Sequence, residues 1–131
     1  MSALANLKIL DFSTLLPGPF ASLLLADLGA QVLRIEAPNR LDLARELGEK
    51  DGDCSYTHRY LNRSKKSLAL DLRKPQAIEI IKQLVMEYDV IIEQFRPNVM
   101  AKLGLSYDDL KLVNPKIIYC SLTGYGQTGV N

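Results

Sequence analysis

A run of basic residues is the strongest candidate for ligand chemistry in this sequence. Only Asp71 opposes it between positions 59 and 74, and its members are Arg59, Arg63, Lys65, Lys66, Arg73 and Lys74. Tyr56 and Tyr60 lie beside the run, and Asn62 and Ser64 add hydrogen-bonding groups. Cations next to aromatic rings favour a phosphorylated ligand that carries a ring, such as a nucleotide with several phosphates. A solvated surface patch is the alternative, and the sequence leaves both open.

Two further groups of polar residues follow apolar runs that are predicted to be strands. Segment 11–14 (DFST) ends the first run, and segment 93–97 (EQFRP) ends a later one. Ligands bind at the carboxyl ends of the strands in open α/β sheets, so both segments are candidate contact points. For Asp11 the favoured role is capping of the following turn. For Arg96, a solvated turn is the open alternative to ligand binding.

The sequence gives little support for nucleophilic catalysis, for a metal site or for a common phosphate-binding loop. His58 is the only histidine and no GxSxG motif accompanies it, so it is predicted to be a polar loop residue rather than a general base. Cys54 and Cys120 lack CxxC spacing, which predicts two free thiols and no bound metal. The turn at 17–19 (PGP) is not GxGxxG, and no GxxxxGKS/T occurs.

Apolar runs alternate with amphipathic stretches, as in sheets that are covered by helices on both faces. The sequence therefore predicts the α/β class, with a Rossmann-like, mostly parallel sheet flanked by helices. The predicted strands are residues 7–12, 32–35, 67–70, 90–92 and 117–122. The predicted helices are residues 20–28 with a left-handed Gly29 after them, a helix opened by Pro75, a short one from 97 to 104, and one that a capping box starts at Ser106. Residues 38–56 are predicted to be a long excursion with one helical turn.

Composition limits the class of protein and its partners. With 131 residues, 47% of them hydrophobic, the chain is expected to form one core and a single domain. Its 16 basic and 15 acidic residues nearly cancel, so neither nucleic acid nor an anionic membrane is an expected partner. No signal-peptide pattern and no apolar run near the length of a membrane span occur, which predicts a cytoplasmic protein.

Five ordered blocks together resemble the class III CoA-transferases, the family that includes formyl-CoA transferase, carnitine CoA-transferase and the α-methylacyl-CoA racemases. The blocks are ILDF at 9–12 with PGP at 17–19, LGAQVLRIE at 28–36, LNRSKKSLALDL at 61–72, VIIEQFRP at 90–97, and LTGYGQTG at 122–129. The resemblance covers nearly the whole chain, and each block alone would be weak.

The resemblance implies that the chain binds coenzyme A as part of an acyl-CoA substrate, with no metal. The residues that it assigns to CoA binding are Leu61, Asn62, Lys65, Lys66, Gln94, Phe95, Arg96 and Lys102. Lysines and arginines suit the phosphates of CoA. The family often has an arginine after the second strand that contacts CoA, and this chain has Ala37 at that position. The same contact with CoA would then have to come from Arg34 or Arg40.

The resemblance also implies which reaction the complete protein performs. In the transferases an aspartate beyond the glycine-rich block attacks the acyl-CoA carbonyl, giving a mixed anhydride and then an aspartyl-CoA thioester. The chain stops before that aspartate, so no catalytic residue is predicted within it. In the racemases the aspartate works with a histidine, and Asp108 stands about where that histidine would align, which favours the transferase. A fragment of a racemase and a non-catalytic CoA-binding module are the alternatives.

Residues 1–131 are therefore expected to form a single N-terminal CoA-binding α/β domain, incomplete relative to the family. The implied substrates are an acyl-CoA and a free carboxylic acid. The full-length members of the family are interlocked homodimers, so a homodimer is the expected assembly of the complete protein.

Overall fold

The computed structural model of the chain describes residues 2–129. Its strands are β1 (Lys8–Asp11), β2 (Gln31–Glu36), β3 (Lys50–Asp51), β4 (Cys54–Ser55), β5 (Lys66–Ala69), β6 (Val90–Glu93) and β7 (Ile118–Ser121). Its helices are α1 (Pro17–Asp27), α2 (Tyr56–Asn62), α3 (Pro75–Val85), α4 (Val99–Lys102) and α5 (Tyr107–Leu110). A single 3₁₀ turn, Leu43–Glu46, lies between β2 and β3.

Five parallel strands form the main sheet, in the order β5-β2-β1-β6-β7. From β1 the chain moves outward through β2 to β5, and it then returns to the other side of β1 for β6 and β7. The strand order therefore reverses between β1 and β6, where Asp11 is paired with Ile92. Open α/β sheets bind ligands beyond the carboxyl ends of the strands at such a reversal. The predicted α/β fold with a mostly parallel sheet is confirmed.

The central strands are apolar on both faces because helices cover both. Ile9 and Leu10 are both fully buried, but on opposite sides, since side chains alternate along a strand. Leu10 belongs to a core with Ile81 of α3 and Ile91 of β6. Ile9 belongs to a second core with Ala26 of α1. The predicted helix opened by Pro75 is confirmed, with Ala77, Ile81 and Val85 buried along one face.

Local signals in the sequence located several element boundaries. Gly29 follows α1 with a φ of +103°, as predicted. The capping box is also confirmed: Ser106 Oγ accepts from the backbone N–H of Asp109 at 3.2 Å, and the Asp109 carboxylate accepts from the backbone N–H of Ser106 at 3.0 Å. The helical turn predicted in the excursion 38–56 is the 3₁₀ turn, while the β3–β4 hairpin was not predicted.

One prediction about this region is wrong. His58 is not in a loop but on α2, where its residue is 7% exposed. Ser55 caps α2 by accepting from the backbone N–H of His58 at 3.0 Å. The sequence of α2, YTHRYLN, has no apolar periodicity, so the helix depends on its cap and on packing against α1 rather than on a pattern visible in the sequence.

Candidate ligand-binding site

A cleft of about 810 Å³ lies at the carboxyl edge of the main sheet. It is lined by the segments that follow β1, β2, β5 and β6, with Thr14, Arg40, Leu72 and Phe95 as representative residues. Its floor is largely apolar, with Phe12, Ile35 and Leu70 among the lining side chains. Clefts of this size, with an apolar floor and a few polar groups, are typical of small-molecule and cofactor sites.

The charges that line the cleft leave two arginines free for a ligand. Arg34 is paired with Glu36 and Asp42, and Arg73 is paired with Asp71 at 2.9 Å. Across residues 2–129 neither Arg40 nor Arg96 has an ion-pair partner, and both are exposed. An anion that entered the cleft would meet two guanidinium groups, which suit phosphate oxygens because they donate in a planar fork.

The segment after β5 presents a fixed carboxylate to the cleft. The Asp71 carboxylate accepts from the side chain of Arg73 and, at 3.1 Å, from its backbone N–H. These hydrogen bonds lower the pKa of Asp71 to about 2. The carboxylate is therefore charged at any physiological pH, and it suits a hydroxyl donor of a ligand rather than a phosphate.

Asp11 organises the turn between β1 and α1. Its residue is fully buried, and its carboxylate accepts from the backbone N–H of Ser13 at 2.9 Å and from the hydroxyls of Ser13 and Ser22. The predicted capping role of Asp11 is confirmed. The turn is tight at Gly18, where a Cβ would overlap Ser13 and lie 2.7 Å from Oε1 of Gln94. Glycine is needed here for close approach.

Lys65 completes this buried group instead of projecting into the cleft. Its side chain is 1% exposed, and Nζ lies 3.7 Å from the Asp11 carboxylate. It donates to the carbonyl oxygen of Pro19 at 2.8 Å and to Ser22 Oγ at 2.7 Å. Burial lowers the pKa of Lys65 to about 8, although the Asp11 charge opposes that shift. Lys65 directly precedes β5, and its contacts connect the start of that strand to the turn after β1.

A second buried group of charges centres on Arg34, whose side chain is 2% exposed. Its guanidinium donates to Glu36 at 3.0 Å, to the Asp42 carboxylate, and to Nε2 of His58 at 2.9 Å. Burial works against ionisation of Glu36, but Arg34, Arg45 and Ser67 outweigh it and lower the pKa of that carboxyl. Of the two arginines expected to replace a family contact at Ala37, only Arg40 is therefore accessible.

The tautomer of His58 follows from its partners. Arginine only donates, so Nε2 must accept from Arg34, and the proton of the neutral ring is on Nδ1, which lies 3.1 Å from Cys54 Sγ. Burial and the charges of Arg45 and Arg34 lower the pKa of His58. His58 is thus a neutral donor within a buried network. Cys54 and Cys120 are free thiols, as predicted.

The structure divides the eight residues that were predicted to bind CoA into two sets. Gln94, Phe95 and Arg96 line the cleft. The residues outside its lining are Leu61, Asn62, Lys65, Lys66 and Lys102. Leu61 is buried, whereas Lys66 and Lys102 are exposed. A role in ligand binding stays a prediction for all eight.

The basic run is more neutral in the folded chain than in the sequence. Arg59 pairs with Asp51 at 2.6 Å, and Arg63 pairs with Asp27 at 2.6 Å and stacks on Tyr60. These acidic partners lie outside the run, so the sequence alone could not reveal them. The carboxyl-edge rule, applied to β2 as well as to β1 and β6, points to Arg40, which follows β2 and lines the cleft.

The glycine-rich segment near the end of the chain is close to a smaller cavity of about 280 Å³. Gln127 and Arg96 line that cavity, together with Tyr119 of β7. Gly126 and Gly129 have positive φ angles of +90° and +115°, a region that glycine adopts without a steric cost. Asp108 pairs with Lys111 on the surface of α5 and lines neither cavity.

The fold is an open, parallel α/β sheet with a cleft, lined by the exposed Arg40 and Arg96, at the point where its strand order reverses. A sequence model of the family described as CoA-transferase family III matches residues 4–131, and the chain belongs to that family. No helix among residues 2–129 is long and apolar enough to cross a membrane. In the same part of the chain, no three His, Cys, Asp or Glu residues are grouped to hold a metal ion.

Known relatives agree with this assignment. The chain is 43% identical over 127 residues to succinyl-CoA:glutarate CoA-transferase of Homo sapiens, a match that covers 96% of this chain and 29% of that protein. It is 38% identical over 128 residues to alpha-methylacyl-CoA racemase of Homo sapiens, covering 97% and 30%. A solved structure of a hypothetical protein from Mycobacterium tuberculosis matches with a TM-score of 0.91 and 39% identity, covering 99% of this chain and 36% of that one. The chain spans about 30% of the length of the curated relatives it matches.

Proposed function

We propose that this chain is the CoA-binding part of a class III CoA-transferase, which moves CoA between an acyl-CoA and a free carboxylic acid. The observation that carries the proposal is the cleft at the strand-order reversal, with Arg40 and Arg96 free to meet an anion. CoA has a 3′-phosphate and a diphosphate for two guanidinium groups, and an adenine ring for the apolar floor. The nucleophile of the transfer, an aspartate in the expected mechanism, would lie outside these 131 residues.

Transfer is favoured over racemisation because the relatives named above include a transferase at 43% identity and a racemase at 38%. Racemisation also needs a second proton-transfer group. Asp108, the residue expected near that position, is exposed and paired with Lys111 at 2.6 Å. The complete protein would decide between the two reactions: a racemase would exchange the α-proton of an acyl-CoA in deuterated water, and a transferase would not.

The cleft assignment is tested by calorimetric titration of CoA into the chain and its variants. Arg40→Ala and Arg96→Ala are each expected to weaken CoA binding about tenfold, because each removes a hydrogen bond between charged groups. Their effect on pantetheine, which lacks the phosphates, is expected to be small.

The matched controls are Arg59→Ala and Arg63→Ala, which remove cations of the basic run that neither line the cleft nor belong to the eight residues predicted to bind CoA. Both are expected to leave CoA affinity within about twofold of the unchanged chain, since exposed charges away from a ligand act weakly. If Lys66→Ala weakens CoA binding and Arg40→Ala does not, the ligand binds at the basic run and the cleft assignment is wrong.

A further inference from the structure

The Thr14–Leu15 peptide, at the edge of the cleft, is held from both sides by side chains of other segments. Asp42 Oδ1 accepts from the backbone N–H of Leu15 at 3.1 Å, and Gln94 Nε2 donates to the carbonyl oxygen of Thr14 at 2.7 Å. That N–H and that carbonyl belong to the same planar peptide group, so the two hydrogen bonds fix its orientation. Gln94 also accepts from the backbone N–H of Gly18 at 3.1 Å, which ties the group to the start of α1.

The backbone at Leu15 is in a conformation that a leucine rarely adopts. Its φ is +61°, in the left-handed region where a Cβ is crowded and where glycine is favoured. Such a conformation persists in a residue other than glycine only when the surrounding structure imposes it. The peptide that precedes Leu15 is the one that Asp42 and Gln94 hold by hydrogen bonds.

Asp42 is itself rigidly placed. Its carboxylate accepts from Arg34 and, at 2.9 Å, from the backbone N–H of Ala44, and the side chain is 1% exposed. Arg34 is fixed in turn by Glu36 and His58. A continuous set of buried contacts therefore extends from His58 on α2, through Arg34 on β2, to the turn after β1.

We propose that Asp42 is a positioning residue of the ligand cleft. Together with Gln94 it holds Leu15 in the left-handed conformation, and so it shapes the part of the cleft wall that Thr14 and Leu15 form, acting through that backbone. A wall that is fixed before binding raises affinity because less ordering is needed when the ligand arrives. That the ligand is CoA rests on the proposed function. The hydrogen bonds from Gln94 and to Asp42 that fix the Thr14–Leu15 peptide do not depend on it.

The first test measures hydrogen exchange of backbone amides by NMR in the ligand-free chain. Asp42→Ala removes the acceptor of the Leu15 N–H, and exchange at Leu15 is expected to accelerate about tenfold or more beyond the acceleration at Ile91 in β6, a core amide that reports the loss of global stability when the Arg34–Asp42 pair is broken. Exchange at Leu15 that accelerates no more than exchange at Ile91 would overturn the proposal. If Asp42→Ala does not fold, Gln94→Met removes the opposite contact without touching the buried ions, and the same acceleration is expected.

The second test is a double-mutant cycle on the Kd for CoA, with Asp42→Ala, Leu15→Gly and the two combined. Asp42→Ala is expected to raise the Kd about tenfold when residue 15 is leucine, and only about twofold in the Leu15→Gly background, because glycine adopts a positive φ without support. Equal losses in both backgrounds would show that Asp42 acts elsewhere. If the unchanged chain does not bind CoA, the proposed function fails, and the exchange at Leu15 still decides the role of Asp42.

Discussion

Replacing Arg34 with methionine is expected to lower the free energy of unfolding by about 3–5 kcal/mol, the cost of breaking a buried ion pair by removing one partner. The Arg34 side chain is 2% exposed and that of Asp42 is 1% exposed. Arg34 is the ion-pair partner of Asp42, so without its guanidinium the buried Asp42 carboxylate would lose that partner. Nε2 of His58 would also lose its hydrogen-bond donor. The measurement is urea-induced unfolding followed by circular dichroism.

The matched control for this prediction is Arg59→Met, the same chemical change in an exposed ion pair. Arg59 and Asp51 are 54% and 55% exposed. Solvent screening limits such pairs, so a loss below about 1 kcal/mol is expected. Equal losses in the two variants would contradict the role assigned to the buried network around Arg34.

Replacing Lys65 with methionine is expected to change how stability depends on pH. The pKa of Lys65 is lowered from 10.5 to about 8, so between these values the unfolded chain holds a proton that the folded chain has released. The free energy of unfolding therefore rises as the pH increases from about 8 to 10.5, by on the order of 2 kcal/mol for this group. Below pH 8 the buried amine is charged, and its full cost to stability is present. The Lys65→Met variant lacks this rise.

The measurement is the difference in unfolding free energy between the unchanged chain and the variant at several values between pH 7 and pH 10.5. Subtraction removes the titration of the tyrosines and thiols, which both proteins share. Lys66→Met is the matched control, because Lys66 is the adjacent residue and is exposed. A difference that stays flat across the window for Lys65→Met would contradict the burial of that amine.

The sequence predicted the elements whose signals are local. Strand β6 begins with an apolar run at residues 90–92, α3 has one apolar face, and Ser106 with Asp109 is a recognisable capping box. These features depend on residues a few positions apart, which is the range that periodicity and capping rules cover. Helix α2 was missed because its residues carry no such pattern.

The candidate site was only partly predictable, because its electrostatics arise from residues that are distant in the sequence. Gln94, Phe95 and Arg96 were found from their place after a strand and from the family resemblance, and they do line the cleft. The burial of Lys65 was not, since its partner Asp11 is 54 positions away. Arg34 and His58, 24 positions apart, likewise meet only after folding. Counting charges along a segment cannot distinguish a free cation from one that folding will pair.

An NMR titration of the isotopically labelled chain with CoA would locate the ligand directly. We expect the largest shift changes at the backbone amides that line the cleft, in segments 12–15, 37–43, 70–73 and 94–96. Shift changes confined to segment 61–66 would place the ligand on the basic run and contradict the cleft. Absence of any shift change at millimolar CoA would contradict a CoA site in this chain altogether.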